Sequence, residues 1–63
     1  MGDYRCYLLD GAGAIRAVEL VDDETDASAL AQAQQILSRR PEFFGFELWQ
    51  RNRRVYVEAL ALP

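Results

Sequence analysis

The hydrophobic and polar residues near the start of the chain alternate with the period of a β-strand. Asp10-Gly11-Ala12-Gly13 follows and contains residues that tolerate positive φ, so it predicts a tight hairpin turn. The segment from Ala14 to Val21 predicts a second strand, but it is apolar on both sides and leaves the register open. In the first strand, from Tyr4 to Leu9, one face carries Tyr4, Cys6 and Leu8, and the other carries Arg5, Tyr7 and Leu9.

A helical period replaces the alternation after the acidic segment Asp22-Asp23-Glu24-Thr25-Asp26. Thr25 or Asp26 can cap the first amides of a helix, and the carboxylates suit the positive end of its dipole. The helix is predicted from Ala27 to Arg39 or Arg40, because Pro41 disfavours helical geometry in the residue before it. Its apolar stripe consists of Ala29, Leu30, Ala33, Ile36 and Leu37, and its polar side of Ser28, Gln32, Gln35 and Arg39.

A second strand pair is predicted after the helix, from Phe43 to Gln50 and from Arg54 to Leu60. The turn lies around Arg51-Asn52-Arg53, where Asn52 is best able to adopt a left-handed conformation. Alternation assigns Phe44, Phe46, Leu48, Val55, Val57 and Ala59 to the side that meets the helix. The opposite side is predicted to carry Arg5, Tyr7, Leu9, Glu19, Glu47, Trp49, Arg54, Tyr56, Glu58 and Leu60.

The order strand, strand, helix, strand, strand predicts an α+β fold in one domain of residues 1–63. We expect a two-layer ββαββ sandwich, in which one helix packs on a four-stranded, mainly antiparallel sheet. A helix of this length is about 20 Å long at about 1.5 Å per residue and cannot cover both faces of the sheet. One face is therefore predicted to remain uncovered.

The length of 63 residues limits the size of the core, since such a domain buries only about 60% of its unfolded surface. Disulfides, metals and oligomerisation are the usual supplements, and with one cysteine and no histidine the sequence favours oligomerisation, a homodimer first. No apolar run reaches the roughly 18 residues of a membrane span, and the first residues lack the features of a secretory signal. We therefore expect a cytoplasmic protein in which Cys6 is a buried free thiol.

The residue inventory argues against common kinds of catalysis. Without histidine or lysine, neither a Ser-His-Asp arrangement nor a Schiff base can form. Glu19, Glu47 and Glu58 could together create an acid and a base, but cross-strand ion pairs with arginines are the favoured interpretation. The acidic segment lacks the spacing of an EF-hand, and Gly11-Ala12-Gly13 lacks that of a phosphate loop. We predict that the chain has no catalytic, metal or cofactor site and that it is not an enzyme.

The uncovered face is the best candidate for a contact surface. Tyr7, Trp49, Arg54 and Tyr56 supply the aromatic and arginine side chains that dominate protein interfaces, so the leading hypothesis is self-association or binding of a protein partner. One alternative is a planar cofactor stacked on Trp49. Another is single-stranded nucleic acid bound by the turn arginines Arg51, Arg53 and Arg54, which a calculated pI near 4.7 opposes.

Two sequence patterns carry a resemblance to known proteins. They are Tyr4-x-x-Tyr7-x-Leu9-Asp10-x-x-Gly13-x-Ile15 before the acidic segment, and Phe46-Glu47-Leu48-Trp49-Gln50 with Arg54-Val55 after the helix. The chain thereby resembles a group of small uncharacterised bacterial proteins with no established activity, which implies a bacterial origin. It is more weakly similar to dodecins, flavin-binding assemblies with one helix beside a small sheet and a stacking tryptophan. The strand pair before the helix departs from the dodecin pattern.

Overall fold

A computed structural model describes residues 2–59 of the chain. It contains the strands β1 (Gly2–Leu9) and β2 (Ile15–Asp23), the helix α1 (Asp26–Arg39), and the strands β3 (Gly45–Gln50) and β4 (Arg53–Ala59). The four strands form one antiparallel sheet in the order β2-β1-β3-β4. The helix packs against β2, β3 and β1 on one side of this sheet. The predicted α+β ββαββ sandwich is therefore confirmed.

The helix begins and ends as its sequence predicts. The Thr25 side chain caps it by accepting a hydrogen bond from the Ser28 amide at 3.1 Å, and Asp26 lies in the first turn. Arg40 is the C-cap, directly before Pro41. The predicted stripe faces the sheet, because Ala29 and Ala33 are buried and Leu30, Ile36 and Leu37 pack against the core.

The core lies between the helix and the three strands it contacts. Central strands β1 and β3 supply most of it, and small alanines on the helix let the two layers approach closely. No helix or strand of residues 2–59 covers the other side of the sheet, so the core of this described part lies on the helix side. Its buried members are Tyr4, Cys6, Leu8, Val21, Ala29, Ala33, Phe46 and Leu48.

The first turn is organised by Asp10. One oxygen of this carboxylate accepts hydrogen bonds from the amides of Ala12 at 2.9 Å and Ala14 at 3.0 Å. The other accepts from Arg16 Nε at 2.8 Å. Gly13 has a φ of 84°, which a residue without Cβ adopts at little cost. The hydrogen bond from Arg16 lowers the pKa of Asp10 most, and the hydrogen bonds from the two amides lower it further.

Two irregularities in the ladders change which side chains share a face. Between β1 and β2, Leu8 pairs with Ala17 and Leu9 with Ile15, so Arg16 is an extra residue. This fixes the open register: Ala17, Glu19 and Val21 face the helix, whereas Val18, Leu20 and Ile15 face away. Between β3 and β4, Leu48 pairs with Tyr56 and Trp49 with Arg54, so Val55 is the extra residue.

The extra residue in β4 overturns part of the predicted alternation. Alternation predicts Tyr56 on the uncovered side, but Tyr56 lies on the helix side, where its ring centroid is 6.0 Å from that of Phe46. Alternation predicts Val57 in the core, but Val57 lies on the uncovered side and is 42% exposed. Val55 packs against the core as predicted. Beyond β4, Leu60 lies outside the described residues.

Three local predictions near the second hairpin were also wrong. Phe44 precedes β3 and is 37% exposed beside Gly11, while Phe43 packs against the core in its place. In the β3-β4 turn the positive φ of 57° belongs to Arg51, not to Asn52. Strand β3 begins at Gly45, two residues after the predicted start at Phe43.

Candidate functional site

The face of the sheet opposite the helix is the candidate site, and we name it the open face. The pairing places its side chains in four columns, one for each strand. The outer columns are mostly apolar and the inner ones mix rings with charges. The open face comprises Ile15, Val18, Leu20 and Asp22 of β2; Asp3, Arg5, Tyr7 and Leu9 of β1; Glu47 and Trp49 of β3; and Arg54 and Val57 of β4.

The β2 column is the most exposed apolar part of the open face. Ile15 is 54% exposed, Val18 51% and Leu20 81%. These three side chains follow one another along a single edge strand, and we name them the aliphatic column. Isolated exposed aliphatic side chains are ordinary on protein surfaces, but a row of them on one strand forms a patch that water hydrates poorly.

The centre of the open face holds polar groups that bond to one another. Arg5 lies with its guanidinium carbon 5.8 Å from the centroid of the Tyr7 ring and donates to the carbonyl of Arg51 at 2.7 Å. The Trp49 indole N–H donates to Glu47 at 3.0 Å. These contacts fix the orientation of the aromatic rings and give the centre a defined shape.

Two shallow depressions flank Arg5 on this face. One, of about 450 Å³, lies at the open end of the first hairpin and is lined by Asp3, Leu20, Asp22 and Arg51. The other, also of about 450 Å³, is lined by Tyr7, Trp49, Ile15 and Glu47. Both are open to solvent along the sheet, so neither encloses a substrate away from water.

The predicted contact residues do not all meet. Tyr7, Trp49 and Arg54 lie on the open face, and Arg54 is directly opposite Trp49 in the ladder. Tyr56 lies on the helix side and leaves the set. The aliphatic column takes its place and was missed as a surface. The signal for it was the apolar character of both sides of the segment from Ala14 to Val21, which alternation alone could not assign.

The predicted group of three glutamates is also separated by the sheet. Glu47 is on the open face, but Glu19 pairs with Cys6 and Glu58 with Phe46 in the ladders, which places both on the helix side. Glu19 accepts from Arg40 at 2.9 Å, so its ion pair is with the C-cap of the helix and not, as predicted, with a neighbouring strand. Glu19 and Glu58 share the helix side, but they lie on the two edge strands, β2 and β4, with β1 and β3 between them. The three carboxylates therefore do not come together as an acid and a base.

Two of the three turn arginines, Arg53 and Arg54, lie on opposite faces of the sheet. Arg53 reaches the helix side, where it donates to both oxygens of Asp26 at 3.1 and 3.2 Å. The Tyr4 hydroxyl donates to the same carboxylate at 2.5 Å. The hydrogen bond from Arg53 lowers the pKa of Asp26 most, and the one from Tyr4 lowers it further. The Asp26 carboxylate raises the pKa of the Tyr4 hydroxyl. Arg53 therefore ties the sheet to the helix, and the three arginines do not form one basic surface.

Cys6 lies inside the core and away from the open face. Its side chain is 0% exposed, and the described cysteine is a free thiol. Burial, followed by the nearby charge of Glu19, raises the pKa of the thiol to about 11. A thiol in this environment stays protonated at neutral pH and is a poor nucleophile.

Residues 2–59 contain neither a cluster of metal ligands nor a membrane-spanning helix. Within that range, no three or more cysteine and carboxylate side chains come together as metal ligands do. The helix in the described part of the chain is neither long enough nor apolar enough to span a membrane.

Comparison of the chain with protein-family models, with curated proteins and with solved structures found no match. The resemblances to small bacterial proteins and to dodecins therefore stay predictions from the sequence.

Proposed function

We propose that this chain is a non-enzymatic interaction protein that self-associates through the open face, with the aliphatic column as the main contact. The observation that carries the proposal is the exposure of Ile15, Val18 and Leu20, between 51% and 81%, in one row on one strand. Burying a leucine or valine side chain contributes about 1.5 to 3 kcal/mol, so a row of three is a substantial driving force. A small core gives such association a second benefit, because a bound copy stabilises the folded state.

The polar centre supports the same proposal. Arg5 already donates to the carbonyl of Arg51, and the Trp49 indole N–H donates to Glu47. These hydrogen bonds reduce the number of polar groups that contact with another protein would leave unpaired, and unpaired groups oppose burial. Binding of a planar cofactor to Trp49 stays an alternative prediction from the sequence.

The test compares two substitutions of an exposed apolar residue by glutamate. Leu20→Glu places a charge in the aliphatic column, and Ala31→Glu places one on the solvent side of the helix. Light scattering from micromolar to millimolar protein should give a dimer for the wild type and for Ala31→Glu. Leu20→Glu should dissociate at least tenfold more readily, because about 1.4 kcal/mol of lost contact energy corresponds to a factor of ten. A wild type that is monomeric throughout this range contradicts the proposal.

A further inference from the structure

The two edges of the sheet differ in how well they are protected from another strand. Edge strands expose backbone N–H and C=O groups, and proteins commonly block them with bulges, lysine or proline. The edge strand β4 is interrupted by the extra residue Val55. The edge strand β2 contains no proline, its charged residues are Arg16, Glu19, Asp22 and Asp23, and its irregularity lies near its start, at Arg16. From Ala17 to Asp23 the β2 strand is regular and can accept a new neighbour.

The sequence of β2 decides which antiparallel register suits a second copy. A twofold axis through Val18 would set Arg16 against Leu20, and an axis through Leu20 would set Val18 against Asp22. Both arrangements place a charge beside an aliphatic side chain. An axis through Glu19 instead sets Val18 against Leu20 and Ala17 against Val21, and it brings Arg16, the extra residue just before the regular segment, to the Asp22 of the second copy. In this register alone among the three, apolar side chains meet apolar ones and the basic residue meets an acidic one.

We infer that a second copy of this chain pairs with β2 in antiparallel orientation about an axis at Glu19, joining two sheets into one of eight strands. This inference rests on the proposed self-association and specifies its geometry: the two aliphatic columns meet side by side across the β2 edge, rather than face to face. Val18 and Leu20 of both copies then form one aliphatic cluster on the open face. At each end of it an Arg16 faces the Asp22 of the second copy.

The charges near the axis are compatible with this arrangement. Arg16 is well exposed, with a side-chain exposure of 67%, and bonds Asp10 through Nε at 2.8 Å. A guanidinium has five N–H donors, so the same side chain can hold a second carboxylate. The two copies of Glu19 meet on the helix side, each already paired with its own Arg40 at 2.9 Å. Two ion pairs thus approach one another, rather than two unpaired carboxylates.

The experiment reverses one charge in each of two variants and then mixes them. Arg16→Glu alone sets a new glutamate against Asp22 of the second copy, and Asp22→Arg alone sets a new arginine against Arg16. Each variant by itself should therefore dimerise at least tenfold more weakly than the wild type. In an equimolar mixture, both contacts between unlike chains join opposite charges. Native mass spectrometry, which separates the two chains by mass, should find mixed dimers at close to wild-type affinity.

Matched controls separate this inference from the proposed function. Arg39→Glu makes the same charge reversal on the exposed last turn of the helix and should leave dimerisation unchanged. Circular dichroism verifies that each variant folds. If Leu20→Glu dissociates the dimer but the two charge variants stay dimeric, or if their mixture stays monomeric, the edge register is overturned while contact through the open face stands. A monomeric wild type overturns both.

Discussion

The two faces of the sheet are built from the same four strands but differ in what covers them. On the helix side, Cys6, Leu8, Phe46 and Leu48 are 0% exposed. On the open face, apolar residues of the same sheet reach exposures of up to 81%. One helix covers only one face of the sheet, so its position, more than the hydrophobicity of the strands, determines which side chains leave water. Leu9 is the exception, since it lies on the open face and is only 5% exposed.

The strands therefore carry more apolar side chains than one covering helix can bury. Residues of equal hydrophobicity have different environments on the two sides: Leu48 is buried in the core, and Leu20 is exposed to solvent. Burial on the helix side stabilises the fold of the single chain. Apolar side chains exposed on the open face can leave water only by contact with a second molecule.

The largest expected difference comes from one substitution made on each face. Leu48→Ala should lower the free energy of unfolding by about 2 to 5 kcal/mol, because it removes apolar contacts and leaves a cavity. Leu20→Ala should change it by less than about 0.5 kcal/mol when the protein is dilute. Urea unfolding at low micromolar concentration measures both values. Equal losses would show that the open face also belongs to the core of the single chain.

A second comparison places a thiol on each face. Because the pKa of Cys6 is raised from its ordinary value of 9.0 to about 11, the folded state favours the protonated thiol. Its stabilising contribution is complete below pH 9 and is lost as the pH rises towards 11, by roughly 2 to 3 kcal/mol. The decline in unfolding free energy over this range should become shallower in Cys6→Ala.

The control moves the thiol to the open face. Val18→Cys in the Cys6→Ala background puts it on a side chain that is half exposed. Its titration should leave the unfolding free energy unchanged over the same pH range, and iodoacetamide should modify it much faster than it modifies Cys6 in the wild type. Similar rates for the two thiols would contradict the buried position of Cys6.

The smallest expected effect concerns the tyrosine hydroxyls of β1. Tyr4→Phe removes a hydrogen bond to Asp26, whereas Tyr7→Phe changes a ring on the open face beside Arg5. The lowered pKa of Asp26 contributes stability that is present above about pH 4 and lost as the pH falls below it. Tyr4→Phe should therefore lower the urea midpoint at neutral pH and weaken its dependence on acid.

Tyr7→Phe provides the reference for that measurement. Its urea midpoint should follow the wild type from neutral to strongly acidic pH, since Asp26 keeps both Arg53 and Tyr4. If both variants show the same acid dependence, the Tyr4 hydroxyl does not contribute to the stability of the helix N-terminus.

Much of the fold could be predicted from the sequence because its signals are local. The cap at Thr25, the stripe of Ala29 and Ala33, and the stop before Pro41 each depend on residues within a turn or two of the helix. The alternation in β1 is likewise regular along its whole length. The candidate site was predicted in part: Tyr7, Trp49 and Arg54 lie on the open face, but Tyr56 does not.

The number, kind and order of the elements follow from local sequence signals, since hydrophobic period, capping and turn chemistry act between neighbours along the chain. The faces of β2 and β4 depend instead on how the strands pair. One extra residue, Arg16 in the first hairpin and Val55 in the second, shifts the later side chains to the other face. Such a residue can be located only against the strand that pairs with it, so alternation within one strand does not reveal that Leu20 is exposed and Tyr56 faces the helix.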